Sequence, residues 1–285
     1  MLSPHKGDNR VPKAKEGAND VQMWEQPQFL DLPSRDAKPR RRGLTHVLDK
    51  GLDLARTEAF VGQCAHLVDI VKIGGGIGYV DSTLPARIRV YREADVSVSL
   101  GGTLVEVCAM QDRVLELRDW ALSLGVTVME VSNGLHLLDP QSKSALIRLL
   151  SEDFTVAAEV GDKDPSLPVV ADKWIEEMER DLEAGATWLV AEGRESGTVG
   201  IYSADGGVRA DLVESLADRI TLERIIFEAP LKAQQTWFIE RGGPQVNLGN
   251  IAPEDVLPLE TLRLGLRADT AVSVAAMITP ERALQ

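Results

Sequence analysis

FTVAAEVGDKDP, residues 154–165, is a run of β-type apolar residues that ends in a carboxylate and a charged turn. A helix-like stretch follows, DKWIEEMERDLEAG at 172–185, and then the pattern returns: TWLVAEGRESG, 187–197, again runs apolar into Glu192 and a charged turn. Strand, helix and strand, with polar residues gathered where each strand ends, is the repeating unit of a (β/α)₈ barrel, whose active site is assembled at one mouth by the loops after the strands. Working outward from this unit, short apolar runs along the chain end in Asp49, Lys72, Glu130, Glu159, Glu192, Glu228 and Asn247.

The candidate strands are LTHVLD, DIVKI, VSVSL, VTVMEVS, FTVAAEV, TWLVAEG, RIIFEAP and QVNLGN. Their apolar continuity and β-branched content suit strands covered on both faces. Between them lie stretches such as LVEVCAMQDRVLELRDWALSLG, 104–125, whose apolar residues recur every three or four positions and which end in glycine, as a helix C-cap does. The fold class expected is therefore α/β, a (β/α)₈ TIM barrel over residues 41–285, preceded by an irregular, partly ordered extension over 1–40 that is rich in charge and proline. Trp24 and Phe29 are the apolar anchors of that arm.

A chain of 285 residues is long enough for one such barrel, which needs about 250. The net charge of -13 disfavours extended contact with nucleic acid or an anionic membrane, while leaving room for small anions held by local cations. Cys64 and Cys108 offer neither a disulfide framework nor a metal cluster. The polar N-terminal residues, with Lys6, Arg10, Lys13 and Lys15, lack a secretory core, so a cytoplasmic protein is expected. No GxGxxG or GK[ST] fingerprint follows the first strand, and GGGIG at 74–78 is as well explained by a tight turn as by phosphate binding.

Glu130, Glu159, Glu192 and Glu228 come from strands four to seven and could meet around one hard cation. Magnesium takes oxygen ligands, and four histidines without an HExxH pattern argue against zinc. Taken singly, each glutamate is equally a salt-bridged strand end. Taken together, clustered carboxylates repel unless cations or protons neutralise them. Lys163, four residues beyond Glu159, is placed to deliver a proton or hold an anionic oxygen, with a solvent-facing loop lysine as the alternative. Lys50 and Lys72 need anionic partners, which Asp49 or Asp69 could supply. Arg194 and Glu195 read as a clamp in which the arginine grips a carboxylate or phosphate and the glutamate orients it. Asn247, Gly249 and Asn250 end strand eight, where barrels often bind phosphate, and Arg263 or Arg267 on the next helix could reach back to it. His46 and His136 are expected to be packing residues, and QQTWFIERGG reads as helix core.

GLTHVLDKGL, DIVKIGGG, GGTLVEV, AEVGDKDP, DLEAGATWLVAEGRESG, IIFEAPLKAQQTWFI and VNLGNIAPEDVLPLETLRLGLRADT together resemble the phosphosulfolactate synthase family, from about Arg42 to Thr270. The resemblance implies a magnesium-dependent carbon–sulfur lyase that adds sulfite to phosphoenolpyruvate to give (2R)-2-phospho-3-sulfolactate, a step toward coenzyme M in methanogens. It implies Lys163 as the general acid. From their strand ends, Glu159 and Glu192 are the first choices for metal ligands or their orienting shell, with Glu130 and Glu228 behind them. Arg194, Lys50 and Lys72 would face the substrate's negative charges, and a homo-oligomer is expected. Three stretches depart from the family pattern. A GWGTS-like stretch is replaced around Gly75, Ile77 and Gly78, SDGS becomes SNGLHL with Asn133, and PQKSQQ becomes PLKAQQ with Leu231 and Ala233. These departures bear on the identity of the nucleophile. Addition of another nucleophile to an enolpyruvate, a non-catalytic stress-associated or binding barrel, and a Schiff-base aldolase are the competing readings.

Overall fold

The computed structural model describes residues 27–162 and 168–278. The chain divides into a unit of Met1–Asp31 and one of Leu32–Gln285. Every strand and helix among the described residues belongs to the second unit. Its first residues are tied to the rest of that unit by charged side chains: Arg35 pairs with Glu260 at 3.0 Å and Arg40 with Asp69 at 3.2 Å.

Eight parallel strands close into a barrel in sequence order: β1 Thr45–Asp49, β2 Ile70–Ile73, β3 Ser97–Leu100, β4 Val128–Val131, β5 Thr155–Val160, β6 Trp188–Ala191, β7 Ile225–Glu228 and β8 Leu248–Ile251. Each coincides with an expected strand. The helices are α1 Leu54–Cys64, α2 Ile77–Val80, α3 Leu84–Glu93, α4 Gly102–Met110, α5 Val114–Leu124, α6 Pro140–Ser151, α7 Ala171–Ala184, α8 Ala210–Arg219, α9 Lys232–Gly242, α10 Val256–Arg263 and α11 Ala271–Ile278.

Local chemistry accounts for the helix ends. Asp53 caps α1 by accepting from Arg56 N at 2.9 Å, and Asp139 caps α6 by accepting from Ser142 N at 2.8 Å. Gly185 ends α7 in the left-handed conformation that the sequence pattern anticipates there. The stretch 104–125 is two helices rather than one. Gln111, Asp112 and Arg113 present no apolar side chain to the sheet, and Asp112 turns left-handed at φ 54° between α4 and α5.

The outer core packs strand residues such as Val71, Val98, Met129 and Ala158 against the helices. A separate buried cluster of Leu44, Ile70, Val128, Ala157, Val190 and Ile226 fills the barrel interior. Successive side chains on a strand alternate faces. The residues two positions after five of these interior residues are therefore aimed inward one layer higher, and they are Lys72, Glu130, Glu159, Glu192 and Glu228.

Candidate active site

All five of those side chains are buried, at 1–5% exposure. They line a cavity of about 460 Å³ at the C-terminal mouth, together with Lys50, Arg194, Glu195 and Asn250. Lys72 Nζ donates to Glu130 Oε2 and Glu228 Oε1, at 2.9 Å each. Asp49 and Asp69, the partners expected from sequence, are not its partners. Asp49 accepts from Arg87 and from Tyr91 Oη at 2.8 Å, and Asp69 serves Thr45 N and Arg40. Glu130 Oε1 accepts from Gly102 N at 2.8 Å, while Glu228 Oε2 accepts from Gly193 N at 3.0 Å and Arg194 N at 2.9 Å.

Glu130, Glu159 and Glu228 each place a carboxylate oxygen within 4.8 Å of the other two. At an effective dielectric of about 20, two charges at that separation repel by about 3 kcal/mol. Burial, with Glu159 and Glu228 adding to it against the pull of Lys72, pushes the Glu130 carboxyl up to about 7. Burial alone would lower the Lys72 ammonium, but the three carboxylates outweigh it and hold the group well above its ordinary value, so it stays charged. Burial, reinforced by Lys72, drives His46 well below its ordinary value and keeps its imidazole neutral.

The cluster offers oxygen donors without histidine or thiolate, as a hard cation such as magnesium requires. Each carboxylate oxygen also has a second lone pair beyond the hydrogen bonds named above. The donors therefore fit a divalent cation. Glu192, expected as a foremost ligand or part of the orienting shell, lies outside the three-glutamate cluster, and its Oε1 accepts from Arg194 N at 2.6 Å. Glu130 and Glu228, expected as secondary ligands, are members because β4 and β7 aim them at the same point as Glu159.

The other expected site residues divide by position. Lys50 and Glu195 meet across the mouth at 3.4 Å, both largely exposed. The partner of Glu195 is thus Lys50 rather than Arg194, which lines the cavity with φ 56°. Asn250 lines the cavity too, whereas Gly249 lies deeper, where an added Cβ would meet Ile226 and His46. Asn247 and Arg263 do not reach the mouth. Asn247 accepts from Leu44 N at 2.9 Å and donates to Glu223 O and Ile225 O, and Arg263 donates to the carbonyls of Pro244, Val246 and Leu44. Both stand where the strands begin, at the opposite end of the barrel. Arg267 lies 3.9 Å from Asp269 and does not line the cavity. Lys163 lies outside the described residues, as does Trp24. His46 is buried as expected, but His136 is half exposed and meets Asp162 at 2.9 Å.

Residues 33–269 match the family model described as (2R)-phospho-3-sulfolactate synthase (ComA). The chain belongs to this family. Phosphosulfolactate synthase from Methanothermobacter thermautotrophicus is 41% identical over 244 residues, covering 84% of this chain and 95% of the relative. The Bacillus subtilis phosphosulfolactate synthase is 39% identical, covering 85% and 97%. Protein HEAT-STRESS-ASSOCIATED 32 of Arabidopsis thaliana is 33% identical over 272 residues, covering 82% and 90%. Among solved structures, 3-hexulose-6-phosphate synthase from Salmonella typhimurium superposes with a TM-score of 0.50 at 15% identity, covering 82% of this chain and 95% of that one, a likeness of fold.

The three departures from the family pattern sit differently in the structure. Ile77 lines the cavity. Asn133 instead ties its own loop together, donating to Leu138 O at 2.7 Å and accepting from Leu138 N at 2.9 Å. Leu231 and Ala233 are exposed, while Gln234 and Gln235, retained in PLKAQQ, are buried. Gln234 Nε2 donates to Gly197 O at 2.8 Å and so anchors the GRESG loop.

Sequence reading passed over several residues that hold the mouth in shape. Glu106 of α4 accepts from Ser132 Oγ, from Gly134 N at 3.2 Å and from Leu135 N at 2.7 Å, fixing the loop after β4. Lys143 of α6 donates to Glu159 O at 2.8 Å, Glu177 at 2.6 Å and Asp181 at 2.7 Å, fixing the end of β5. Burial pushes Asp181 up to about 6 against the pull of Lys143. The available signal was spacing: Lys143 falls on the inward stripe of α6 with Ile147 and Leu150, where a lysine needs buried anionic partners.

Proposed function

We propose that the protein is a magnesium-dependent lyase of the phosphosulfolactate synthase type, adding sulfite to phosphoenolpyruvate. The observation that carries this reading is the buried cluster of Glu130, Glu159 and Glu228, beneath a mouth bearing Lys50 and Arg194, in a chain 41% identical to a phosphosulfolactate synthase. Attack of the sulfite sulfur lone pair on C3 moves the double-bond electrons into the substrate carboxylate, and a proton delivered to C2 completes the addition. Glu130, Glu159 and Glu228 would hold the cation, which when bound supplies positive charge to a carboxylate gaining electrons.

Lys72 keeps Glu130 and Glu228 in place by pairing with both. Lys50 and Arg194 attract the anionic substrates, and Glu195 orients Lys50. Lys163 donates the proton, an assignment carried over from the family's EVG-x-KDP segment. The free thiols Cys64 and Cys108 support a cytoplasmic setting, and exposed Tyr79 and Val80 support a homo-oligomer. No helix among the described residues is long and apolar enough to cross a membrane.

The test is to incubate the protein with magnesium, phosphoenolpyruvate and sulfite and follow the phosphorus NMR signal. A new resonance that requires metal is expected, and Lys163→Ala is expected to cut turnover by a factor on the order of 10² to 10⁴ with the fold retained. A non-catalytic barrel is the second reading, favoured by the likeness to HEAT-STRESS-ASSOCIATED 32 and by Ile77 in the cavity wall. Absence of turnover with phosphoenolpyruvate and any nucleophile tried would turn the case to it.

A further inference from the structure

Strand β8 slips against β1. Thr45 pairs with Leu248, but Val47 pairs with Ile251, so three steps on β8 run beside two on β1. The extra residue is a β-bulge, a device that re-aims side chains and is enriched beside active sites. Asn250 within it has φ 53°, in the left-handed region where any residue with a Cβ is strained. The side chain is then only 5% exposed and lines the main cavity, and neither end of its amide, the N–H₂ or the buried Oδ1, makes a hydrogen bond among the described residues. Exchanging the amide's two ends would leave a buried N–H₂ there instead.

A glycine would enter the same bulge without strain and without burying an amide. Asn247, three residues earlier, is matched at both ends of its amide, so an unmatched asparagine is not a general property of this strand. Such an amide at a cavity wall is a partner waiting for a ligand.

The ligand's chemistry follows from the neighbours. In the closed strand order β8 stands opposite β4, which carries Glu130. The loops after β1 and β6 bring Lys50 and Arg194 to the mouth, and the contact between Lys50 and Glu195 spans the sector that contains β8. Lys50 and Arg194, the exposed cations lining the cavity among the described residues, thus flank the Asn250 side of the barrel.

We infer that Asn250 is a substrate-binding residue, whose amide N–H₂ donates to an anionic oxygen, phosphoryl or carboxylate, held alongside Lys50 and Arg194. The identity of the substrate rests on the phosphosulfolactate synthase reading. The contact itself rests on the bulge and the unmatched amide.

The test compares wild type, Asn250→Gly and Asn250→Asp by thermal unfolding without ligand. Calorimetric titration with magnesium and phosphoenolpyruvate, inorganic phosphate or pyruvate then follows. The glycine variant should unfold at a higher temperature than wild type yet bind phosphoenolpyruvate about tenfold more weakly, as loss of a charge-assisted hydrogen bond does. The aspartate variant should bind more weakly still, because a carboxylate repels the anion. Weakened phosphate binding assigns the phosphoryl end, and weakened pyruvate binding assigns the carboxylate. A glycine variant less stable than wild type, or unchanged affinity in both variants, overturns the inference. If wild type binds none of the three probes, the functional reading fails, and the stability of the glycine variant alone decides for or against Asn250.

Discussion

The two ends of the barrel bury charge in opposite ways. At the end where the strands begin, Arg263 is fully buried, but its terminal nitrogens donate to the carbonyls of Pro244 and Val246 at 2.7 Å and Leu44 at 3.1 Å. Burial, with Arg35 adding to it, brings Arg263 down to about 9. Asp69 there takes Thr45 N and Arg40, and Asn247 serves both neighbouring strands. Polar side chains complete backbone hydrogen bonding where the sheet leaves off. At the mouth, Lys72 pairs with Glu130 and Glu228, and Glu159 brings a third buried carboxylate oxygen within 4.8 Å of theirs. The terminal nitrogens of the arginine are spent on backbone carbonyls, whereas carboxylates brought within 4.8 Å of one another are an arrangement a cation could join.

The sharpest way to break this contrast is Glu159→Gln. Magnesium affinity measured by calorimetry should fall on the order of a hundredfold, a ligand being worth at least as much as its supporting shell. A drop in stability with metal affinity unchanged would assign the cluster to the fold.

Arg263→Met should do the reverse. It removes the donors to three buried carbonyls and should cost about 3 kcal/mol of stability in denaturant unfolding. Turnover per folded molecule should be unaltered, and a selective loss of substrate affinity would return Arg263 to the site.

A smaller effect is expected from pH. Glu130, at about 7 in the metal-free protein, carries a proton below that value and must lose it to act as a ligand. Magnesium affinity should therefore rise with pH through about 7 and level off above, falling roughly tenfold per unit below. A flat calorimetric profile across that range would remove Glu130 from the ligand set.

Smallest of all, Lys50→Ala breaks an exposed pair with Glu195, and stability should change by less than about 0.5 kcal/mol. Phosphoenolpyruvate affinity should nevertheless drop a few-fold, more at low salt than at high salt. Equal affinity at both salt concentrations would deny that the rim attracts anions.

Sequence alone determined the eight strands and their alternation with helices, because apolar periodicity and turn residues are local signals that survive without a partner; the family came from the resemblance of whole segments such as AEVGDKDP. The sequence also placed Glu130, Glu159, Glu192 and Glu228 at strand ends, while their inward aim follows from the interior cluster two residues before each of them. Which of them meet was decided by tertiary structure. Glu130 and Glu228 are 98 positions apart (228 minus 130), and closure of the barrel sets the distance between them. The same closure gives Lys72 partners on β4 and β7 rather than its sequence neighbours.

Strand eight marks the limit most clearly. Asn247 and Asn250 occupy one short run, yet one serves the floor and the other faces the mouth. A one-residue bulge separates their roles, and register between strands is a property of the assembled sheet. Arg263 likewise carries the composition of a phosphate ligand, but the helix that holds it runs back toward the strand beginnings before the arginine is reached. Residue type and spacing set what a side chain can do, while the direction and closure of the chain decide which neighbour it does it to.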